Sequence, residues 1–406
     1  MAGVIQRVAM VSMHTSPSAA PGVGDSGGMN VAILALAAEL AIRGTEVDLL
    51  TRAVGAPSSR VLLPGVTLHE LPAGSGTLVK QDLASVTDDF GEAVAHLARS
   101  TRYDVIHSHY WLSGIAALPV ALELGIPLVQ SFHTLAVMKD ADLGGSDEPV
   151  IRSRSETFIA TQADALVAAS SAEATALIDD VGAPADRTWI IPPGVDLELF
   201  APRPESLSVL VRRRLRLDPA RSLVALVGRV QPLKGHELAV RALAEIRALR
   251  GWAPQLVIVG DATPGHEGFV EQLGALAGQL GVADDIRFVG SLPREDLADL
   301  LSIVDLTIVP SFSETFGLVA LESAAAGTPV MVFTHGDPSA VLITNDEAER
   351  WIAIERSLSA LHGLEVYPEL ADDTASLGSV VAGRERANAT AVRRLAREPR
   401  QILDIP

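Results

Sequence analysis

The stretch Ile191-Pro-Pro-Gly-Val-Asp-Leu-Glu-Leu-Phe-Ala-Pro-Arg-Pro204 divides the chain. Proline cannot donate to a helix or to a central strand, so this passage reads as a linker between two series of elements. On its N-terminal side, short β-branched runs alternate with longer Ala/Leu-rich stretches, the pattern of βα units in a parallel sheet. Strands are expected at Arg7–Met13, Glu46–Thr51, Asp104–Ser108, Pro127–Phe132, Ala165–Ala169 and Thr188–Ile191, and Gly44 stands where a helix C-cap belongs. On the C-terminal side the pattern returns, with strands expected at Leu223–Gly228, Gln255–Val259, Ile286–Val289, Leu306–Val309 and Pro329–Val332. Helices there are expected at Leu238–Leu249 and Thr315–Ala326. The expected fold is therefore α/β: two doubly wound, Rossmann-like domains facing across a cleft at the carboxyl ends of both sheets. Residues 1–197 form the first, 198–375 the second, and 376–406 a divergent tail.

Composition narrows the function classes. The 406 residues are 48% hydrophobic and 20% charged, which suits two buried cores and excludes a disordered chain. There is no cysteine, so disulfides, thiol nucleophiles and thiolate metal sites are absent, and a cytoplasmic location is the expectation. A formal net charge of -18 repels nucleic acid and anionic membranes, so neither is an expected partner. Apolar runs are broken early, by Glu39 and Glu322 among others, and no stable membrane insertion is expected. Of the 32 basic residues only Lys80, Lys139 and Lys234 are lysine. Codon bias explains such scarcity but not the three places where lysine remains.

The glycine-rich segment Pro21-Gly-Val-Gly-Asp-Ser-Gly-Gly-Met-Asn30 fits two motifs, neither of them in its proper setting. Gly22-x-Gly24-x-x-Gly27 matches the dinucleotide fingerprint, but a long loop separates it from its strand, and the second strand ends in Thr51-Arg52 where a ribose-binding acid would stand. Gly24-x-Ser26-x-Gly28 matches a nucleophile elbow, yet Pro17 and Pro21 interrupt the strand that an elbow needs. What survives is a loop delivering a helix near Gly28, whose free amides suit an anion; a tight turn alone is the alternative.

Gly228-Arg-Val-Gln-Pro-Leu-Lys-Gly235 places Arg229 and Lys234 after the first strand of the second series, where they suit a departing diphosphate, or stand as solvated surface cations. In Pro310-Ser-Phe-Ser-Glu-Thr-Phe-Gly-Leu-Val-Ala-Leu-Glu322, seven residues separate Glu314 from Glu322. That spacing is close to whole helical turns and would turn both carboxylates to one side, toward sugar hydroxyls. The amides of Phe316, Gly317 and Leu318 at the start of that helix are further candidates for phosphate. A helix-capping acid plus a buried ion pair is the alternative for the two glutamates.

Together these pieces resemble the GT-B glycosyltransferases of family 4, retaining enzymes that carry a Glu-x7-Glu motif and an Arg/Lys phosphate pair. The likeness is most specific to the actinobacterial branch of that family that uses D-inositol 3-phosphate in mycothiol biosynthesis. It is carried by Val8-Ala-Met-Val-Ser-Met-His-Thr-Ser-Pro17, Gly24-Asp-Ser-Gly-Gly-Met-Asn30, His107-Ser-His-Tyr-Trp-Leu-Ser-Gly114 and Phe132-His-Thr-Leu-Ala136. The resemblance implies transfer of N-acetylglucosamine from a UDP-sugar donor to an inositol phosphate or a similar phosphorylated acceptor such as a sugar phosphate. A non-catalytic nucleotide-sugar-binding homologue is the reading from another class. No obligatory cofactor or metal is implied, and a homodimer is one of the oligomeric states left open.

By the same resemblance the acceptor phosphate falls to Lys80, Tyr110, Thr134 and Arg152, with Arg154 the rival arginine. A guanidinium, an ammonium and two hydroxyls are what a phosphomonoester dianion requires. His14, Asp25 and Asn30 would line the inositol hydroxyls, and Gly28 would approach the donor phosphates. His133 would stand near the transferred sugar, or be a core histidine bonded to backbone. Arg229 and Lys234 would stabilise the leaving UDP, Glu314 hold the donor sugar's hydroxyls, and Glu322 the ribose. Lys139 matches a family position without an assigned role.

The likeness is expected to end near Val330. Beyond it the chain reads Thr334-His-Gly-Asp-Pro338 and lacks the family's closing aromatic segment. Residues 346–361 are expected to be helical, and 371–406 are polar and poorly patterned.

Overall fold

The computed structural model describes residues 5–22, 24–138, 150–263, 265–312, 314, 316–332 and 341–342. Lys139, the expected helix over 346–361 and the tail at 376–406 lie outside them. By contact the chain divides into two compact units that separate at Pro193/Gly194, with the short segment Gly22–Asp25 grouping with the second.

In the first unit, eight strands form one sheet: β1 Arg7–Val11, β2 Glu46–Arg52, β3 Ser58–Leu63, β4 Val66–Leu71, β5 Val105–His109, β6 Leu128–Ser131, β7 Ala165–Ala168 and β8 Thr188–Ile190. Their order is β3-β4-β2-β1-β5-β6-β7-β8, and every pairing is parallel except the β3–β4 hairpin. Six of these strands match the expected positions. The hairpin does not: β3 is largely exposed, so its Ser-Ser-Arg-Val sequence has no apolar face to announce it. The order reverses between β2, β1 and β5, which makes the carboxyl ends of β1, β5 and β6 the place for a site. Ile33, Leu49 and Leu68 pack one core, and Phe90, Ile106 and Phe132 belong to another.

The second unit has six strands: β9 Leu223–Val227, β10 Gln255–Val259, β11 Ile286–Gly290, β12 Leu306–Val309, β13 Val330–Val332 and β14 Val341–Leu342. The order is β11-β10-β9-β12-β13-β14. All pairings are parallel except β13 with β14, a strand the sequence did not lead one to expect. Here the reversal lies between β10, β9 and β12, so loops leaving β9 and β12 flank the switch point. Among the described residues, no helix is long and apolar enough to cross a membrane.

Candidate functional site

In the first unit, four loops place side chains at the carboxyl edge of the sheet. His14 follows β1, Tyr110 follows β5, His133 and Thr134 follow β6, and Lys80 opens the 3-10 turn Lys80–Val86 after β4. Tyr110 is the centre. Its ring lies 4.3 Å from that of His14, with the Lys80 Nζ 5.6 Å and the Arg152 Cζ 5.2 Å from its centroid. Both cations are within cation–π range of one ring.

Arg152, from the helix Val150–Gln162, is completely buried. It donates to Glu156 Oε1 at 2.7 Å and to the carbonyl of Thr134 at 2.8 Å, while Glu156 Oε2 accepts from the amide of Ala136 at 2.9 Å. A buried guanidinium needs such partners, and the i, i+4 spacing of Arg152 and Glu156 on one helix supplies the first. The rival Arg154 is exposed on the same helix.

Backbone strain concentrates at this edge. Of the four described non-glycine residues with positive φ, Arg102 and Arg216 are helix C-caps, whereas Tyr110 (φ 73°) and His133 (φ 62°) are both in the site loops. Strain of this kind persists only where surrounding contacts over-determine it. The amide of Tyr110 donates to the carbonyl of Ser131 at 2.8 Å.

Asn30 departs from its expected role. It is buried, its Nδ2 donates to Thr15 Oγ1 (3.1 Å) and to the carbonyl of Ser16 (2.7 Å), and its Oδ1 accepts from the amide of Gly27 (3.0 Å). With both amide protons committed, it latches the glycine-rich loop to the start of the helix Gly28–Ile42 instead of presenting donors to hydroxyls. That helix begins at Gly28, as expected, and Gly44 follows its end with φ 90°.

The sequence reading overlooked three groups around His133. His109 Nδ1 lies 2.9 Å from His133 Nε2, and His107 Nε2 lies 2.9 Å from Ser131 Oγ. Burial pushes His107 down to about 3 and His133 to about 4, and drives His109 well below the ordinary imidazole value, with like-charge repulsion among the rings adding to it for His107 and His109. Glu173 is fully buried, and burial raises its carboxyl to about 7 although the amides of Ala169 and His133 bond to it. The signals were present in the sequence. His107-Ser-His109 puts two rings on one strand face, and Ser170-x-x-Glu173 has capping-box spacing.

In the second unit, Arg229 and Lys234 leave β9. The guanidinium of Arg229 donates to Asp25 Oδ1 at 3.2 Å, so Asp25, expected at the inositol hydroxyls, meets this cation. Lys234 Nζ donates to Glu314 Oε2 at 2.8 Å. Lys234 closes a short 3-10 turn that ends at Gly235, φ 70°, where a Cβ would lie 1.8 Å from the carbonyl oxygen of Pro310. Only glycine permits that approach between the loops leaving β9 and β12.

The two glutamates go to different partners. Glu314 Oε1 accepts from the amide of Gly317 at 3.2 Å, and Phe316 contributes a second amide. Burial alone would raise this carboxyl, but the charge and hydrogen bond of Lys234, with the two amides, hold it below its usual value. Glu322 pairs with Arg294 at 2.5 Å, and burial outweighs that cation and raises its carboxyl. Left-handed Gly317 separates Glu314 from the helix Leu318–Ala325, so helical phase does not run through both acids and the expected common face fails. The amides of Phe316 and Gly317, expected to meet phosphate, cap to Glu314. The geometry is that of a capping acid plus a buried ion pair, the alternative left open by spacing. Among the described residues no group of three or more His, Asp or Glu could hold a metal ion.

Comparison with known proteins gives this arrangement a family. Residues 27–194 match the profile described as "Glycosyl transferase 4-like domain" and residues 210–362 that described as "Glycosyl transferases group 1". The second match runs to residue 362, so the likeness does not stop near Val330 as expected. A D-inositol 3-phosphate glycosyltransferase of Stackebrandtia nassauensis is 43% identical over 82% of this chain and 76% of its own length. One from Segniliparus rotundus is 40% identical over 95% of this chain and 87% of its own. Among solved structures, the sucrose-phosphate synthase of Thermosynechococcus elongatus superposes with a TM-score of 0.75 at 27% identity, covering 94% of this chain and 100% of its own. The Anabaena protein HepE in complex with UDP and glucose superposes with a TM-score of 0.64 at 19% identity over 94% of this chain and 100% of its own, a likeness of fold. A doubly wound sheet in each unit, cations leaving β9, and family matches across both units make one assignment: the chain is a glycosyltransferase of GT-B fold and belongs to family 4.

Proposed function

We propose that the chain transfers N-acetylglucosamine from UDP-N-acetylglucosamine to 1D-myo-inositol 3-phosphate with retention of configuration, the step named for its relatives and assigned here to mycothiol biosynthesis. The observation that carries this reading is the pair of cations, Lys80 and Arg152, set about the Tyr110 ring beside Thr134. That cluster suits a phosphomonoester, because charge-assisted bonds from a fork and a point charge fix a dianion while hydroxyls fill its remaining acceptors.

On the donor side, Arg229 and Lys234 take the diphosphate. Lys234 gives one of its three protons to Glu314 and keeps two for phosphate oxygens. Glu314 has acceptor sites beyond Lys234 and its two amides, and these take the hydroxyls of the donor sugar; Glu322 serves the ribose and Gly28 the phosphates. In the reaction the bond from the anomeric carbon to the diphosphate breaks, and a bond to the acceptor oxygen forms on the same face. The acceptor proton passes to the departing phosphate oxygen. No protein base is required, and catalysis rests on positioning and on neutralising the leaving charge. His133 stands beside the transferred sugar.

A sugar phosphate acceptor is the second reading, favoured by the structural likeness to sucrose-phosphate synthase and by a cluster that recognises the phosphate group itself. The test is UDP release from UDP-N-acetylglucosamine with inositol 3-phosphate and, separately, with hexose phosphates. Turnover with inositol 3-phosphate supports the proposal. Turnover with a hexose phosphate alone selects the second reading, and donor binding without turnover on any acceptor rejects both.

A further inference from the structure

The histidines at the ends of β5 and β6 form a buried column that none of the substrate contacts above uses in full. His107 and His109 alternate along β5, so their rings share a face, with centroids 4.1 Å apart. The His109 ring lies 5.2 Å from that of His133 and is joined to it by the 2.9 Å Nδ1···Nε2 contact. Burial keeps these rings neutral, and a neutral imidazole carries one N–H, so one nitrogen of the contact donates and the other accepts.

His109 decides which. It is 2% exposed, and its Nε2 meets no hydrogen-bond partner among the described residues. A proton on that nitrogen would be an orphaned buried donor, a rarer and costlier arrangement than an under-used acceptor. A proton on Nδ1 makes the bond to His133. The backbone of His133 is itself left-handed (φ 62°), a conformation that persists only where the surroundings fix it.

We infer that His109 is a positioning residue: by donating from Nδ1 to Nε2 of His133 it holds that ring as the Nδ1–H tautomer, so that His133 meets the bound donor as a hydrogen-bond donor and not as a base. Its bearing on turnover rests on the placement of His133 beside the transferred sugar proposed above. A ring with its only proton on Nδ1 and its Nε2 lone pair already engaged can give a hydrogen bond to a sugar or phosphate oxygen but has no free lone pair to take a proton. That agrees with a transfer in which the leaving phosphate accepts the proton.

Two measurements test it. Nitrogen-15 histidine spectra of the full chain without substrate, with the His133 signals assigned from His133→Asn, are expected to show the proton on Nδ1; a proton on Nε2 overturns the inference. This readout needs no substrate, so it fails or succeeds apart from the proposed reaction. In kinetics, His109→Leu is expected to lower kcat by about tenfold to hundredfold with both KM values changed by less than about twofold. His109→Asn, whose amide can stand where Nδ1 stood, recovers most of the rate. Unchanged kcat in His109→Leu, or an equal loss in His109→Asn, overturns the positioning role.

Discussion

The two units hold their cations in opposite ways. In the first, Arg152 is fully buried and locked by Glu156 and the Thr134 carbonyl. In the second, Arg229 and Lys234 keep about a quarter of their side chains exposed, at 24% and 23%, and each meets an acid from another loop. A buried, multiply bonded guanidinium is part of the fold and cannot rearrange without cost. An ion pair with a quarter of its surface in water is held less firmly and can exchange its acid for a phosphate. On the proposed function, the first unit would meet a phosphate with a cation already fixed by the fold, whereas the second would meet it with charges that the ligand draws from their resting partners.

The largest test of that contrast is acidification. His107 and His133 are pushed by burial down to about 3 and 4, with His109 also well below its ordinary value, all in the first unit; the second unit has His236, pushed down to about 4. A depressed histidine binds its proton more readily in the unfolded chain, so stability is lost as pH falls below about 6.5 toward the folded values. Each contributes a slope of up to about 1.4 kcal/mol per pH unit in that window. Glu173, raised to about 7 by burial, opposes this in the first unit, because its folded form holds the extra proton and stability falls as pH rises toward 7. With three histidines against one acid, hydrogen exchange at decreasing pH is expected to lose protection in the first unit before the second. Simultaneous loss would remove the distinction.

Next in size, Arg152→Ala should lower the unfolding free energy by about 3–5 kcal/mol, since it strands the buried Glu156 carboxylate. Arg229→Ala should cost less than about 1 kcal/mol yet depress turnover. Denaturant unfolding of both variants measures this, and comparable losses would contradict the contrast. Smaller again, Lys80→Ala is expected to raise the acceptor KM about tenfold to hundredfold with the donor KM little changed, while Lys234→Ala acts on kcat through the donor. Equal effects of Lys80→Ala on both substrates would refute its assignment. The smallest effect expected is for Asn30→Ala, about 1 kcal/mol from the lost cap of the glycine-rich loop, seen as a shift in the denaturation midpoint; no shift would mean that the loop holds without it.

Much of the fold was legible because it is written in local terms. Gln255–Val259 and Leu306–Val309 are continuous apolar runs and fell where expected. The exposed β3 strand and the pairing of β14 were not legible, since edge strands and short antiparallel additions carry no strong period. Lys80, Tyr110, Thr134 and Arg152 were named from likeness; the structure sets the Lys80 and Arg152 cations about the Tyr110 ring and bonds Arg152 to the Thr134 carbonyl, contacts that the sequence did not show. Asn30 was named by the same likeness and is committed to the glycine-rich loop, and the common face of Glu314 and Glu322, read from spacing, is broken at Gly317, because likeness and spacing give residue types but not the partner that each polar atom finds first.

From its residues alone the chain determined two wound sheets, a linker, the switch-point loops and the cations they carry, for these depend on hydrophobic period and on proline and glycine, which act within a few residues of themselves. Tertiary structure alone decided which acid neutralises which base, which histidines stack, and where strain is stored. Those outcomes turn on distances between side chains far apart in sequence, and on burial, which sets both the strength of a charge pair and the protonation of a group.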